Sequence, residues 1–332
     1  AKREIAVIDN NPNTKSNTLN QWMVPKIKYS LEGKKKSLAG ENGWDGYWEA
    51  LKVFQHPKFE SNVYNDVYRA ELYLHPLTEN EKRSLKIYVS ANMESIRKFL
   101  SLPESKQCYV PNWKTWEHFS PQTFCHTMVD YGILQMEDGN IKGAVDTFRR
   151  VIRFGQQMSQ GELIIQLISF ACRSIGEFGF RILLNSDRIS HQEDAEFIST
   201  TLKGLQLLDP ISTKESINLF EPTEIMSNDS VSHGYLIRAQ IAETQLILLE
   251  TKAAIKLYYL KTGDYPVTVK DLVPEYLLES PMETFNKNTV QLTTLDWNVV
   301  PYSYGPDTKD DGGQLQYDPT NGTLSRGDLL FP

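Results

Sequence analysis

The sequence predicts an α+β protein: an N-terminal all-helical domain, then a long helix feeding a small antiparallel β-sheet. Three observations predict it. Apolar residues recur at helical spacing from Trp44 to Leu208. Ala239, Ala242, Leu246, Leu249, Ala253, Leu257 and Leu260 form one stripe, the mark of an uninterrupted helix that stops at Gly263. Beyond Phe285 the chain becomes strand-rich, is broken by Gly, Pro and Asp, and closes on Gly327-Asp328-Leu329-Leu330-Phe331-Pro332. The expected organisation is an irregular segment over 1–40, a helical domain over 41–208, a linker over 209–230, and the long helix with its tail domain over 231–332.

Residues 1–40 carry turn and solvent signals, Asn10-Asn11-Pro12-Asn13 and the Gly33-Lys34-Lys35-Lys36 run. Trp44, Tyr47, Trp48, Leu51 and Phe54 then repeat at helical spacing and read as core rather than as a sugar-stacking surface. Thr78 and Glu81 form a capping box. The helix they open presents Leu85, Tyr88, Val89, Ile96, Phe99 and Leu100 on one face and ends at Pro103. Cys108 to Pro121 is an aromatic loop with Trp113, Trp116 and His118, read first as a connection wrapped on the helical core and second as a pocket wall.

Ser120-Pro121 starts the next helix. Gly132, Gly139, Asn140, Ala144, Phe148 and Val151 follow at spacings that resemble one tetratricopeptide repeat, with Gly132 and Ala144 letting two helices approach closely. Glu162 to Leu184 is a strongly apolar helix. Ser190 and Glu193 make a second capping box for a helix running to Leu208, and Asp209-Pro210 stops it. The Ser227-Asn228-Asp229-Ser230 run supplies caps for the long helix. At about 1.5 Å per residue that helix reaches about 45 Å, longer than a small tail domain requires, so its first half packs on what precedes it.

The order of the tail is Gly263-Asp264-Tyr265-Pro266, Leu272-Val273-Pro274-Glu275-Tyr276-Leu277, Ser280-Pro281-Met282-Glu283-Thr284-Phe285, Tyr304-Gly305-Pro306-Asp307, Asp310-Asp311-Gly312-Gly313 and Gly327-Asp328. It resembles the C-terminal half of the major pseudopilins of type II secretion. It is similar, more closely, to exported proteins of planctomycete-like bacteria that join a helical domain to such a tail. Glu283-Thr284 stands where pseudopilins usually carry Asp-Pro, and the N-terminal hydrophobic helix of a pilin is absent. The resemblance implies a pseudopilin-type tail, an extracytoplasmic location in the periplasm or envelope, and calcium in the C-terminal loop. It also implies a signal or a membrane anchor ahead of Ala1, whose identity as a non-initiator residue suggests a mature or trimmed start.

Composition limits the function classes. The chain has 332 residues, 40% hydrophobic and 23% charged, in the range of an ordinary globular protein. Net charge is −7, and the last 52 residues hold seven acids against three bases, which argues against nucleic acid as a partner. Cys108, Cys125 and Cys172 read as buried free thiols, with a Cys108–Cys125 bridge as the alternative.

Chemistry-bearing patterns are sparse. The six histidines are dispersed, and no GxSxG, P-loop, GxGxxG or HExxH occurs. Asp45 and Glu49 share a helical face but read as two solvated side chains, and Cys125 and His126, as neighbours on a helix, point apart.

Asp307, Asp310, Asp311 and Asp328 are hard oxygen donors on a Gly-rich backbone, the type of set that holds Ca²⁺. An EF-hand register fails because Lys309 falls at the third ligand position. The competing reading is a hairpin turn with solvated charges. The functional expectation is a non-enzymatic exported envelope or pseudopilin-like protein, calcium-stabilised, that binds other envelope proteins or self-assembles. The alternative is an extracytoplasmic hydrolase with its site near Trp113, Trp116 and His118.

Overall fold

A computed structural model describes residues 43–55, 76–103, 108, 110, 121–158, 163–207, 230–295, 298–318 and 326–331, with side chains at 163–164 and 230–236 left aside. The expected irregular segment over 1–40, the linker apart from Ser230, and the loop with Trp113, Trp116 and His118 lie outside these residues.

Among the described residues the chain is mostly helical with one small sheet. The helices are α1 (Trp44–Leu51), α2 (Glu79–Ser90), α3 (Met93–Ser101), α4 (Pro121–Glu137), α5 (Ile141–Met158), α6 (Leu163–Asn185), α7 (Gln192–Leu207) and α8 (Ser230–Thr262). A short 3₁₀ turn, Val269–Leu272, precedes three strands: β1 (Gln291–Leu295), β2 (Asn298–Ser303) and β3 (Leu329–Leu330). The sheet order is β1-β2-β3 and both pairings are antiparallel, with Gln291 opposite Tyr302 and Tyr302 opposite Leu330. The α+β class is therefore as expected.

Local signals place several helix ends. Thr78 accepts the Glu81 N–H at 3.2 Å while the Glu81 carboxylate accepts the Thr78 N–H at 2.8 Å, the reciprocal cap read from the sequence. Gly263 ends α8 at φ +80° and donates its N–H to Tyr259 at 2.8 Å.

Two expectations need correction. The helix opened at Thr78 is two helices, because Asn92 interrupts it; its side chain accepts the Gln55 N–H and donates to the Gln55 carbonyl, both at 2.8 Å. A long-range pair of hydrogen bonds thus outweighs the continuous apolar face. The second capping box does not form as expected either, since α7 starts at Gln192 and His191, not Ser190, accepts its first N–H, from Ala195.

The helical layers meet through glycine. Gly155 of α5 lies on the backbone of α6 at Ser169 and Arg173, and Gly176 of α6 lies on the backbone of α5 at Ile152. The Phe148 ring fills the space beside both Gly132 and Gly179. Gly132 receives the Phe148 ring, and Ala144 is fully buried. Cys108, Cys125 and Cys172 are buried free thiols, and Cys125 lies beside Cys172. That contact joins α4 to α6 in place of the Cys108–Cys125 alternative.

The long helix is wrapped on several sides. Ala242, Leu246, Leu249, Ala253 and Leu257 are buried as the stripe requires, and so are Leu248, Thr251, Lys252, Ala254 and Ile255. It packs on α6 and α7 and also on β2 and β3. One continuous buried cluster runs from Trp44 in α1 to Leu272, Val290 and Phe331 in the tail.

Candidate functional site

The acidic loop follows β2 and is met by the segment that leads into β3. The approach is close: a side chain at Gly305, whose φ is +70°, would place its Cβ 2.5 Å from the Gly327 carbonyl oxygen. Glycine is required there both for the left-handed backbone and for the contact. This is what brings Asp328 to the loop.

Asp328 is fully buried. Its Oδ2 accepts the Gly313 N–H at 2.7 Å, and its Oδ1 accepts the Asp311 N–H at 3.4 Å. Burial pushes its carboxyl above the usual range, the neighbouring charges of Asp310 and Asp311 add to that, and the two N–H groups oppose it. Asp310 Oδ1 accepts the Gly312 N–H at 2.8 Å and the Tyr302 hydroxyl at 3.1 Å. Burial, followed by the Asp310 charge, raises the Tyr302 phenol well above its ordinary value. Asp307 accepts the Lys309 N–H at 3.2 Å through Oδ1 and the Gly327 N–H at 3.4 Å through Oδ2.

The structure therefore gathers the four acids named from the sequence into one corner of the tail, where Asp307, Asp310 and Asp328 serve as caps for backbone N–H groups. Among the described residues, no group of three or more His, Cys, Asp or Glu side chains is arranged to hold a metal ion.

Glu283 and Thr284 also hold the tail together. Glu283 is buried, and its carboxylate accepts N–H groups from Phe285 at 2.9 Å, Asn286 at 3.0 Å and Asn288 at 3.1 Å. Thr284 donates to the Gln240 carbonyl at 2.9 Å, its hydroxyl lies 2.8 Å from that of Thr244, and its own carbonyl accepts from Gln240 Nε2 at 3.1 Å. The Glu283-Thr284 pair closes a loop and ties it to α8. Lys252, also unmarked in the sequence reading, is buried in α8 and donates to the Val299 carbonyl of β2 at 3.0 Å. Burial, and secondarily the charge of Lys256, lowers its ammonium to about 8.

The other sequence candidates among the described residues are the Asp45–Glu49 and Cys125–His126 pairs. Asp45 and Glu49 are exposed on α1, and Glu49 pairs with Lys52 at 2.6 Å rather than with Asp45. His126 is partly buried, which lowers its pKa. No helix among the described residues is long and apolar enough to cross a membrane.

The surface of the tail is uneven in character. Of the eight large apolar side chains exposed among the described residues, six (Tyr259, Tyr265, Val267, Leu278, Met282 and Leu315) fall between residues 259 and 315. Tyr259 and Tyr265 stack at 4.6 Å across the end of α8. Comparison with protein-family models, with curated proteins and with solved structures finds no match for this chain. Its class thus rests on its own architecture: a mostly helical α+β protein whose long last helix carries a three-stranded antiparallel tail.

Proposed function

We propose that the chain is a non-enzymatic exported envelope protein, with a tetratricopeptide-like hairpin in α4–α5 and a pseudopilin-like tail, that binds other envelope proteins or assembles with copies of itself. The observation that carries this reading is the concentration of exposed apolar side chains on the tail. Val267 and Leu278 retain 86% and 75% of their accessible surface, so no contact within the described fold accounts for them. Scattered exposed apolar residues are ordinary, but six of the eight exposed among the described residues fall in this one region, and cover by another chain would account for that concentration. Acidic character in the same tail disfavours nucleic acid as that partner.

Sedimentation of the purified chain tests the assembly arm. The wild type is expected to associate with rising concentration, and Val267→Asp with Leu278→Asp to stay monomeric while keeping the helical signal. A wild type and variant that sediment alike overturn self-assembly through this surface. Calcium stabilisation, the remaining part of the reading, rests on a pair of melts. A ligand that binds only the folded chain raises stability by about 2.7 kcal/mol at a hundredfold excess over its Kd. A higher melting temperature in calcium than in EDTA, lost in Asp307→Asn with Asp328→Asn, supports a site; coincident wild-type melts remove it.

A further inference from the structure

Three helices meet around one phenylalanine. The Phe148 ring of α5 lies beside Gly132 of α4 and beside Gly179 of α6. α4 and α5 run antiparallel, and near that ring the Thr147 hydroxyl donates to Gln135 Oε1 at 2.8 Å. α5 and α6 are antiparallel too, since Gly176 lies on Ile152 while Gly155 lies on Ser169 and Arg173. α4 and α6 therefore run parallel to each other, and their Cα atoms come within 8 Å.

The shared ring sets the register of the two parallel helices. Seven residues before each glycine, about two helical turns, the same faces carry Cys125 in α4 and Cys172 in α6. Seven residues after Phe148, α5 presents Gly155, whose neighbours Ser169 and Arg173 bracket Cys172. The two cysteines thus occupy matching positions on facing helices. Neither retains accessible surface. Burial pushes the Cys125 thiol well above its ordinary value and the adjacent Cys172 adds to that, as two sulfurs side by side require. Cys108 is equally buried but feels the charge of Asp45 on α1.

We propose that Cys125 and Cys172 are an oxidisable pair that closes into a disulfide joining α4 to α6. Such a bridge needs Cα atoms within about 7 Å, a separation suited to helices packed on small residues. Both thiols are reduced in this structure. The oxidant is another disulfide, of a small molecule or of a thiol oxidoreductase. One cysteine, as thiolate, attacks a sulfur of that disulfide, forms a mixed disulfide and expels one thiol. The second cysteine attacks the protein sulfur of the mixed disulfide and expels the other. Two electrons and two protons pass from the cysteines to the oxidant, which ends as two thiols. Because burial hides both sulfurs and disfavours the thiolate, exchange takes place while α4 and α6 are apart, during folding or opening. The closed loop contains the whole of α5, and a cross-link over that length restricts the unfolded chain more than the folded one. The bridge depends on the packing of α4 against α6 and not on the tail surface, so either can fail without the other.

The experiment unfolds the full chain in urea with its thiols reduced and dilutes it into mixed reduced and oxidised glutathione. Iodoacetamide is then added under denaturing conditions, and intact mass counts the alkylated cysteines. One alkylated residue of the three, Cys108, is expected, with tryptic peptides joined through Cys125 and Cys172. The bridged chain should melt about 5 °C or more above the same chain held in reductant. Cys125→Ala should leave both remaining cysteines alkylated and its melt insensitive to reductant, while Cys108→Ser should keep the bridge and the shift. The wild-type arm decides alone. Three modified cysteines, whether alkylated or held as glutathione adducts, overturn the proposal. So does a bridge to Cys108, or a bridged chain that melts below the reduced one.

Discussion

Replacing Gly155 with alanine tests how α5 and α6 are held together. A Cβ at Gly155 would lie 2.7 Å from the Arg173 nitrogen and 2.8 Å from the Ser169 carbonyl oxygen, both in the backbone of α6. Backbone cannot turn aside as a side-chain tip can, so the helices must separate. Separation also strains the reciprocal contact, where a Cβ on Gly176 would meet the Ile152 nitrogen at 2.8 Å. Helix propensity works the other way, since alanine is favoured over glycine by about 1 kcal/mol inside a helix. Overpacking of a tight core costs roughly 1–3 kcal/mol, and rigid neighbours on two sides place this site at the upper end. The expected net effect is a loss of about 2 kcal/mol. Gly204 in α7 is the control, because a Cβ there has nothing within 4 Å. Gly204→Ala should gain about 1 kcal/mol from propensity alone. Equilibrium urea unfolding followed by far-UV circular dichroism reads both. A Gly155→Ala midpoint at or above wild type, with Gly204→Ala behaving as expected, would refute backbone contact as the basis of the α5–α6 packing.

Two further predictions concern the tail. Glu283→Gln leaves one acceptor oxygen where three N–H groups converge on a buried carboxylate and turns an amide NH₂ toward them. Hydrogen bonds to charged groups are worth about 1.5–3 kcal/mol, so a loss of about 2–3 kcal/mol is expected, read in the unfolding of the 259–331 region by hydrogen exchange. A wild-type exchange pattern would show that the loop closes without Glu283. Lys252 supplies a pH dependence. Its ammonium gives up its proton at about 8 in the folded chain, against the ordinary 10.5 when unfolded. Between those values the unfolded chain holds the extra proton, so stability rises with pH through this group. Relative to Lys252→Met, wild type should therefore gain stability from pH 8 to 10.5 and show a constant difference below about 8; a difference flat across the whole range would place the amine in solvent.

Elements set by short-range chemistry were legible in the sequence. The Thr78–Glu81 cap, the Gly263 stop, the long α8 and the coarse α+β class all follow from residues within a few positions of one another. What was not legible depends on partners far along the chain. The break at Asn92 is made by Gln55, 37 residues earlier, and no helical pattern contains that information. The stripe on α8 shows the face toward α6 and α7 but not the second face, where Lys252 reaches Val299. Cys125 and Cys172 meet although 47 positions separate them. In the candidate site, the sequence places Asp307, Asp310, Asp311 and Asp328 in one acidic loop. Whether their oxygens face an ion or backbone N–H groups is a matter of orientation, and composition does not encode orientation. Glu283-Thr284 carries no local signal of its role, and its carboxylate cap on the N–H groups of Phe285 and Asn286 needed coordinates to be seen.

If another protein chain in the cell envelope covers the exposed apolar residues of the tail, Val267 and Leu278 must lie against it. A photo-crosslinking amino acid placed at Val267 or at Leu278 in living cells tests it most directly, because both side chains are largely free of the described fold. The account predicts a discrete adduct to a second protein or a second copy of this chain. That adduct should fractionate with the envelope and be missing when the same crosslinker is placed at Ile87, an exposed apolar position on α2. An adduct-free protein at both tail positions would contradict it, and so would adducts of equal yield at Ile87.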